Sequence, residues 1–515
     1  MTTLIIRATN GASANPGVLR RHLVFMIALS LLLVSVATSR AAAQDAHCAL
    51  DTDMAVREAF ATPGGADAED RSLPLATSEH WQQLARDIFA QLIEINTTHS
   101  IGDNTRAAEA IAKRFLDAGF AAEDVEVLVP APRKGNLVVR YRGVNPECAP
   151  LLLLAHLDVV EVDAAAWEHD PFTLTEEQGY FYGRGVSDDK DSAALHIANL
   201  LRLSAEGYRP RRDIVLALTA DEEGGTHNGV QWLLAEHPAK LRAAHVLSEG
   251  AGGVLVGGER LANEIQATEK MSQTFEITVT GAGGHSSMPS GDNVLHRAGQ
   301  VLVALQDLDF PVELNRVTHQ FFSRSRAITD GELHEAISGL LLDPPDPAAV
   351  AFLSGIPFYN ASMRTVCSPT MITGGHAVNA LPQRAVITVN CRLVPTDTRE
   401  RVQERIAAVL PDSVDLTALQ ASMTVPGISL QPEVFAVMER VTEKVWPGVA
   451  TMPIMGPGGT DGRLLRERGV PVYGTNGIFI DVEDDRAHAA NERIRVRSFY
   501  EGLEFLYRLT RALAQ

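Results

Sequence analysis

GRGVSDDKD, residues Gly183–Asp191, is the stretch on which the fold and the chemistry of this chain turn. Two adjacent carboxylates, Asp188 and Asp189, follow a Gly-Arg-Gly turn, and Ala193–Leu203 just downstream has the apolar spacing of an amphipathic helix. A carboxylate at such a loop-to-helix junction offers two oxygens, one for each of two cations. Three further clusters each follow an apolar run: His156-Leu-Asp158, Asp221-Glu-Glu223 and Ser248-Glu249-Gly250. A second histidine, His488, comes near the C-terminus. Two histidines, a shared aspartate and two glutamates form a donor set suited to a pair of zinc ions.

Working outward, short apolar segments at Asn136–Tyr141, Leu151–Ala155, Ile214–Thr219 and His245–Ser248 alternate with helical patterns at Ala193–Leu203 and Val230–Ala235. That alternation predicts an α/β fold with a mostly parallel central sheet. Ligands of such sheets bind beyond the C-terminal ends of the strands. His156, Asp158, Glu222, Glu223 and Glu249 all fall just past predicted strand ends, and this shared placement predicts that they meet. Taken singly, each cluster has an ordinary reading. Asp188-Asp189 makes a helix cap with a solvated neighbour, and Glu222-Glu223 makes a charged turn. Together they allow one glutamate to bind metal while its neighbour takes a proton from the attacking water.

The chain has 515 residues, too many for one compact core, and 45% of them are apolar. Its net charge of −19 argues against nucleic acid as a partner. The four cysteines, Cys48, Cys148, Cys367 and Cys391, lack the Cys-x-x-Cys spacing of a thiolate zinc site. Three full pairings are open to them, as is the free-thiol state. Cys367 and Cys391 lie in neighbouring predicted strands and are the first pair to test.

Residues 1–43 read as a signal peptide. Arg20, Arg21 and His22 precede an apolar run from Leu23 to Ala37, and small residues follow at Ser39–Ala43. An uncleaved membrane anchor is the alternative, for which the run is slightly short. Export predicts a periplasmic or secreted protein without stable membrane association once the signal is cleaved. Residues 44–80 are expected to be a poorly ordered lead-in. Helices are predicted from Trp81 to Ile95, over Thr105–Gly119 and at the end, over Phe499–Ala514.

At about Thr268 the pattern changes. A strand at Thr274–Thr280, the sequence GAGGHSSMP (Gly281–Pro289), a helix at Asn293–Leu305 and a strand at Ala385–Cys391 predict a smaller α+β insert. Asn315–Met363 is expected to embellish that insert, and Arg399–Leu410 to return the chain to the first domain. The predicted organisation is a catalytic domain split into two segments, 81–267 and 398–515, around a lid or dimerisation domain, 268–397.

AHLDVV, GRGVSDDK, TADEEGG, GAGGHSSMP, GGHAVNALP, NCRLVP, GGTDGR and HAANERI, taken together, resemble the dinuclear-zinc aminoacylase and carboxypeptidase family. That family includes glutamate carboxypeptidase, succinyl-diaminopimelate desuccinylase, acetylornithine deacetylase and carboxypeptidase S. The resemblance runs from about Trp81 to the C-terminus and looks closest to the carboxypeptidase S branch. It departs at Asp191 and Thr396, where many members have Gly.

The resemblance implies two Zn²⁺ per subunit. Asp188 is then the bridging ligand, His156 and Glu249 complete one site, and Glu223 and His488 complete the other. Glu222 is implied as general base, Asp158 as the carboxylate that orients the metal-bound histidine, and a cis peptide follows Asp188. His285, Asn379 and Arg392 match residues that grip a substrate's carbonyl oxygen and carboxylate, with His285 reaching across a homodimer formed through the lid domain. Gly458–Arg463 matches a loop lining the pocket. The implied activity is zinc-dependent cleavage of amide bonds in small substrates with a free carboxylate, dipeptides or N-acyl amino acids. A deacylase of N-acyl amino acids is the alternative, and an aminopeptidase or an inactive exported binding protein stands behind both.

Overall fold

The computed structural model describes residues 48–61, 78–289, 291–419 and 427–515. The strands Leu151–His156 and Ile214–Thr219 are buried along their whole length, as expected of uninterrupted apolar runs covered on both faces. They pair in parallel, from Leu151 opposite Ile214 to His156 opposite Thr219. His245–Ser248 adds in parallel on the other side of Leu151–His156, and Val472–Gly474 adds in parallel beyond it. Four strand ends therefore open on the same edge of the sheet. Further strands, paired both antiparallel and parallel, extend this parallel centre into a ten-stranded sheet.

Helices cover both faces. On one, Glu79–Glu94, Lys190–Ala205, Pro432–Val445 and Val496–Leu513 bury Phe89, Leu92, Leu195, Val441, Phe499 and Leu503 with the sheet. On the other, Gly229–Glu236 packs Val230 and Leu233 on Leu154, Val215 and Val246. Lys190–Ala205 begins directly after the aspartate pair, with Asp189 at its N-cap. Its fully buried Lys190 donates from Nζ to the carbonyls of Leu92 and Ile95 at 2.9 and 3.0 Å, anchoring the helix start to the end of Glu79–Glu94.

A separate four-stranded antiparallel sheet holds Val366–Gly374, Arg384–Leu393, Met271–Thr280 and Val414–Ala418, in that order. Burial alternates along Met271–Thr280, and Phe275, Ile277 and Val279 meet Val294, Ala298 and Val301 of the helix Val294–Gln306. Cys367 and Cys391 lie opposite each other in this sheet and form a disulfide.

Three expectations change. The helix Arg399–Val409 does not return to the catalytic layer. Its apolar pair Val402 and Ile406 is buried in the core of the antiparallel sheet, which Val414–Ala418 then extends. The boundary expected at residue 397 thus moves beyond Ala418. The helices between Arg316 and Met363 pack Phe322, Ile337 and Leu353 against Ala262, Met452 and Ile454 of the large sheet, so they embellish that sheet instead.

The lead-in, expected to be poorly ordered, contains a capped helix, Thr52–Phe60, with Ala55, Val56 and Ala59 buried. Arg508 and Arg511 of the closing helix donate to the carbonyls of Ala59 and Ala61, at 3.1 and 2.8 Å. A stripe this short and alanine-rich carries too little periodicity to be read from sequence. The expected signal segment, residues 1–43, lies outside the described residues. Among the described residues no helix is long and apolar enough to cross a membrane.

Candidate active site

His156 is the last residue of its strand, so its ring leaves the sheet at the open edge while its backbone stays in the ladder. Glu222 and Glu223 follow Ile214–Thr219, and Glu249 follows His245–Ser248. Asp188 comes from the loop ahead of Lys190–Ala205, and the Asp188–Asp189 peptide is cis. Its two oxygens face different histidines: Oδ1 lies 3.0 Å from Nε2 of His156, and Oδ2 lies 3.0 Å from Nε2 of His488. Glu249 Oε2 is 3.7 Å from the first histidine, and Glu223 Oε1 is 2.9 Å from the second. The five residues expected as ligands therefore fall into two triplets that share Asp188.

This donor set fits a metal pair. Imidazole nitrogen and carboxylate oxygen are the ligand types that borderline cations such as Zn²⁺ prefer. Donor atoms of His156, Asp188 and Glu223 lie within 4.8 Å of one another, as do those of His156, Asp189 and Glu249. Glu249 Oε1 is buried without a hydrogen-bond partner. The electrostatics point the same way, because acids outnumber bases in a partly buried cleft. Burial and the Glu249 charge push the Glu222 carboxyl up to about 10. Burial and Asp188 push Glu223 up to about 7. Burial would also raise Asp188, but hydrogen bonds with His156 and His488 outweigh it and hold that carboxyl below the usual range. The hydrogen bond with Asp188 raises His488 to about 9.

Asp158 differs from its expected role. Its carboxylate accepts from the backbone N–H groups of Glu222 and Glu223, at 3.1 and 3.0 Å. The His156 ring is oriented instead by the Asp158 carbonyl, 3.0 Å from Nδ1, with Oδ1 farther off at 3.7 Å. One residue thus steadies the histidine through its backbone and the acidic pair through its side chain. Among the described residues no hydrogen bond holds the Glu222 carboxylate.

The expected substrate residues form a second group. His285 and Asn379 come together on a short ribbon, where Gly284–His285 pairs with Ala380–Leu381 and Ser286 N–H donates to the Asn379 carbonyl. Both are exposed, and neither makes a hydrogen bond to the carboxylate–histidine cluster. Arg392 is half-buried on the antiparallel sheet opposite Ser272, and among the described residues no ion pair engages it. Burial, and then the Arg392 charge, pulls the neighbouring Lys270 ammonium down to about 7. Lys270 itself is buried and donates from Nζ to the Arg364 carbonyl at 2.7 Å, which leaves Arg392 as the cation available to an anion here.

Sequence reasoning missed three supporting groups. Buried Lys134 donates to Asp221 Oδ1 at 2.5 Å, and Asp221 Oδ2 accepts from His227 N–H, holding Asp221 at φ +60 just before the acidic pair. Buried Asp461 accepts from Asn228 Nδ2 at 2.6 Å and from Thr219 Oγ1 at 3.4 Å. Glu492 grips the GRGVSD loop. GGTDGR and HAANERI carry two of these carboxylates but give no sign of their partners, which lie more than 200 residues away.

The model of peptidase family M20/M25/M40 matches residues 152–512. The chain belongs to this family. Among M20 relatives, an N-fatty-acyl-amino acid synthase/hydrolase, PM20D1 of Xenopus tropicalis, is 30% identical over 366 residues, covering 69% of this chain and 70% of that protein. Human aminoacylase-1 is 25% identical over 439 residues, covering 83% of this chain and 94% of its own length. The M20 metallo-carboxypeptidase Sso-CP2 of Sulfolobus solfataricus superposes with a TM-score of 0.64 at 18% identity, over 84% of this chain and 99% of that one. An M20 chain with this fold is a hydrolase of the peptidase and amidohydrolase type.

Proposed function

We propose that the chain is an exported, two-zinc amidohydrolase acting on small substrates that end in a free carboxylate. The observation that carries the reading is Asp188, whose two oxygens each stand 3.0 Å from a different histidine. In this reading His156 and Glu249 would hold one cation, Glu223 and His488 the other, with Asp188 shared between them. Such a pair, when bound, lowers the pKa of water and polarises a carbonyl.

The rest falls to the chain. Glu222 accepts the proton of the attacking water as its oxygen adds to the scissile carbonyl carbon, then returns that proton to the leaving nitrogen as the C–N bond breaks. The Glu222 carboxyl, raised in the metal-free cleft, would be drawn down by two bound cations, so that it can take a proton and give it back. His285 donates to the developing oxyanion. Arg392 and Asn379 hold the substrate carboxylate, Arg392 as a bidentate fork. Glu222→Gln should keep two zinc ions by metal analysis and lose most turnover. Near-normal turnover would refute the mechanism.

Dipeptides and N-acyl amino acids share that carboxylate. The names of the relatives, N-fatty-acyl-amino acid synthase/hydrolase and aminoacylase-1, favour deacylation as a second reading. Hydrolysis of free dipeptides, N-blocked dipeptides and N-acyl amino acids, with and without chelator, separates the two. The Cys367–Cys391 disulfide supports export, since disulfides persist in oxidising compartments. Recovery of the mature chain only in the cytoplasm would refute it. A homodimer through the antiparallel sheet belongs to the same reading. Val366–Gly374 is an edge strand with Met371 and Ile372 exposed, and a partner subunit there would supply His285 across the interface. A monomeric mass by light scattering would overturn the dimer.

A further inference from the structure

HAANERI carries a carboxylate, Glu492, that neither ligates nor transfers a proton in the reading above. Glu492 is only 1% exposed. Its Oε2 accepts from Arg184 Nη1 at 2.6 Å and from Gly185 N–H at 3.1 Å. Its Oε1 accepts from Ser187 N–H and Oγ at 2.8 and 3.0 Å. All four donors belong to the loop that delivers Asp188. The link is reciprocal. Gly183 N–H donates to the Glu492 carbonyl at 3.3 Å, and Nη2 of the same Arg184 donates to the His488 carbonyl at 3.3 Å. Arg184 is itself buried, with its guanidinium over the Trp167 ring.

The two halves of the metal centre are built differently. His156 is fixed by a parallel ladder and by its N–H on Asp189 Oδ2, and Glu249 follows a buried strand. His488 sits on a loop with half of its side chain exposed and a backbone φ of +64, and Asn491 on the same loop has φ +55. That region is uncommon outside glycine, although His and Asn enter it more readily than most residues. Beyond Glu492 and Arg184, this loop is tied by Asn491 Oδ1, which accepts from Glu168 N–H, and by Asp484, which accepts from Arg486 and Arg493 at its two ends, while neither contact reaches the His488 backbone. Asp188 has support of its own, through Asp189 and the helix that Lys190 anchors.

We propose that Glu492 is a positioning residue that sets His488 against Asp188 and so completes the second cation site, leaving the site of His156 and Glu249 independent of it. The proposal rests on the two-cation reading above. It is tested by titrating the metal-free mature chain with Zn²⁺ in a calorimeter, with thermal unfolding of the metal-free form recorded in parallel. Wild type should bind two ions. Glu492→Gln should bind one with wild-type affinity and the other roughly ten- to a hundredfold more weakly, the usual effect of removing a partner that orients a metal ligand. Ser187→Ala deletes one donor without removing the buried charge, and should weaken the same ion by a smaller factor. It decides the matter if Glu492→Gln does not fold. Equal loss at both sites, or lower thermal stability with both affinities unchanged, would assign Glu492 a purely structural role and overturn the proposal. A wild-type chain that binds fewer than two ions would overturn the two-cation reading itself, and the proposal with it.

Discussion

His196 lies in the middle of the helix Lys190–Ala205, 1% exposed, and neither ring nitrogen has a hydrogen-bond partner. Burial alone pushes its imidazole down to about 4. In the unfolded chain the ring titrates near 6.5. The folded form therefore holds a neutral ring where the unfolded form already binds a proton. Its stability is intact above pH 6.5 and is lost as pH falls toward 4. A gap of about 2.5 units at 1.36 kcal/mol each gives roughly 3 kcal/mol below pH 4, of which about 2 kcal/mol is already lost at pH 5. His196→Leu removes the titrating ring at similar volume and also removes two unpaired buried nitrogens. The assay is urea unfolding of wild type and variant, both metal-free, at pH 7.5 and pH 5. Keeping metal out removes pH-dependent metal release from the comparison, and the titration of the active-site groups themselves is common to both proteins. The variant should gain about 2 kcal/mol more over wild type at pH 5 than at pH 7.5. Parallel pH dependence in the two proteins would show that His196 is protonated or partnered in the folded state, and would refute the argument.

Other perturbations have equally definite outcomes. Lys134→Met leaves the Asp221 carboxylate buried without its cation, so denaturant unfolding should show a loss of about 3–5 kcal/mol. Activity should fall with it, because Asp221 leads into Glu222 and Glu223; unchanged stability would mean that the pair is not closed in solution. Replacing Cys367 and Cys391 together by serine opens a crosslink of sequence separation 24, which chain entropy values at about 3.5 kcal/mol. Cys48 and Cys148 are disulfide-bonded as well, so reduction of the wild type should cost at least as much, and a reductant-insensitive midpoint would refute the pairing.

The sequence is most informative where a side chain's position follows from its own strand. His156 ends a fully buried apolar strand, and Glu223 and Glu249 each follow one, so their convergence follows from the parallel order alone. The pattern of Met271–Thr280 shows its alternation as plainly. It is least informative where the partner is remote. Nothing near Glu492 signals Arg184, and nothing in the spacing of Val402 and Ile406 tells which of two sheets the helix Arg399–Val409 will cover. Asp158 is an intermediate case. Its nearness to His156 is legible, but its carboxylate bonds to amides 64 and 65 residues downstream, and that depends on the loop conformation set by Asp221.

The helix Thr52–Phe60 gives the chain an order of assembly. Its buried face and C-terminal carbonyls are met by Pro432–Val445 and Val496–Leu513, and the bonds from Arg508 and Arg511 span 449 and 450 residues. A ribosome releases the N-terminal helix early and these partners only near the very end. Until then that helix has nothing to dock on, and the parallel sheet lacks Val472–Gly474 beside His245–Ser248. The large sheet and the helices over it can therefore complete their packing only after residues 472–511 have been made.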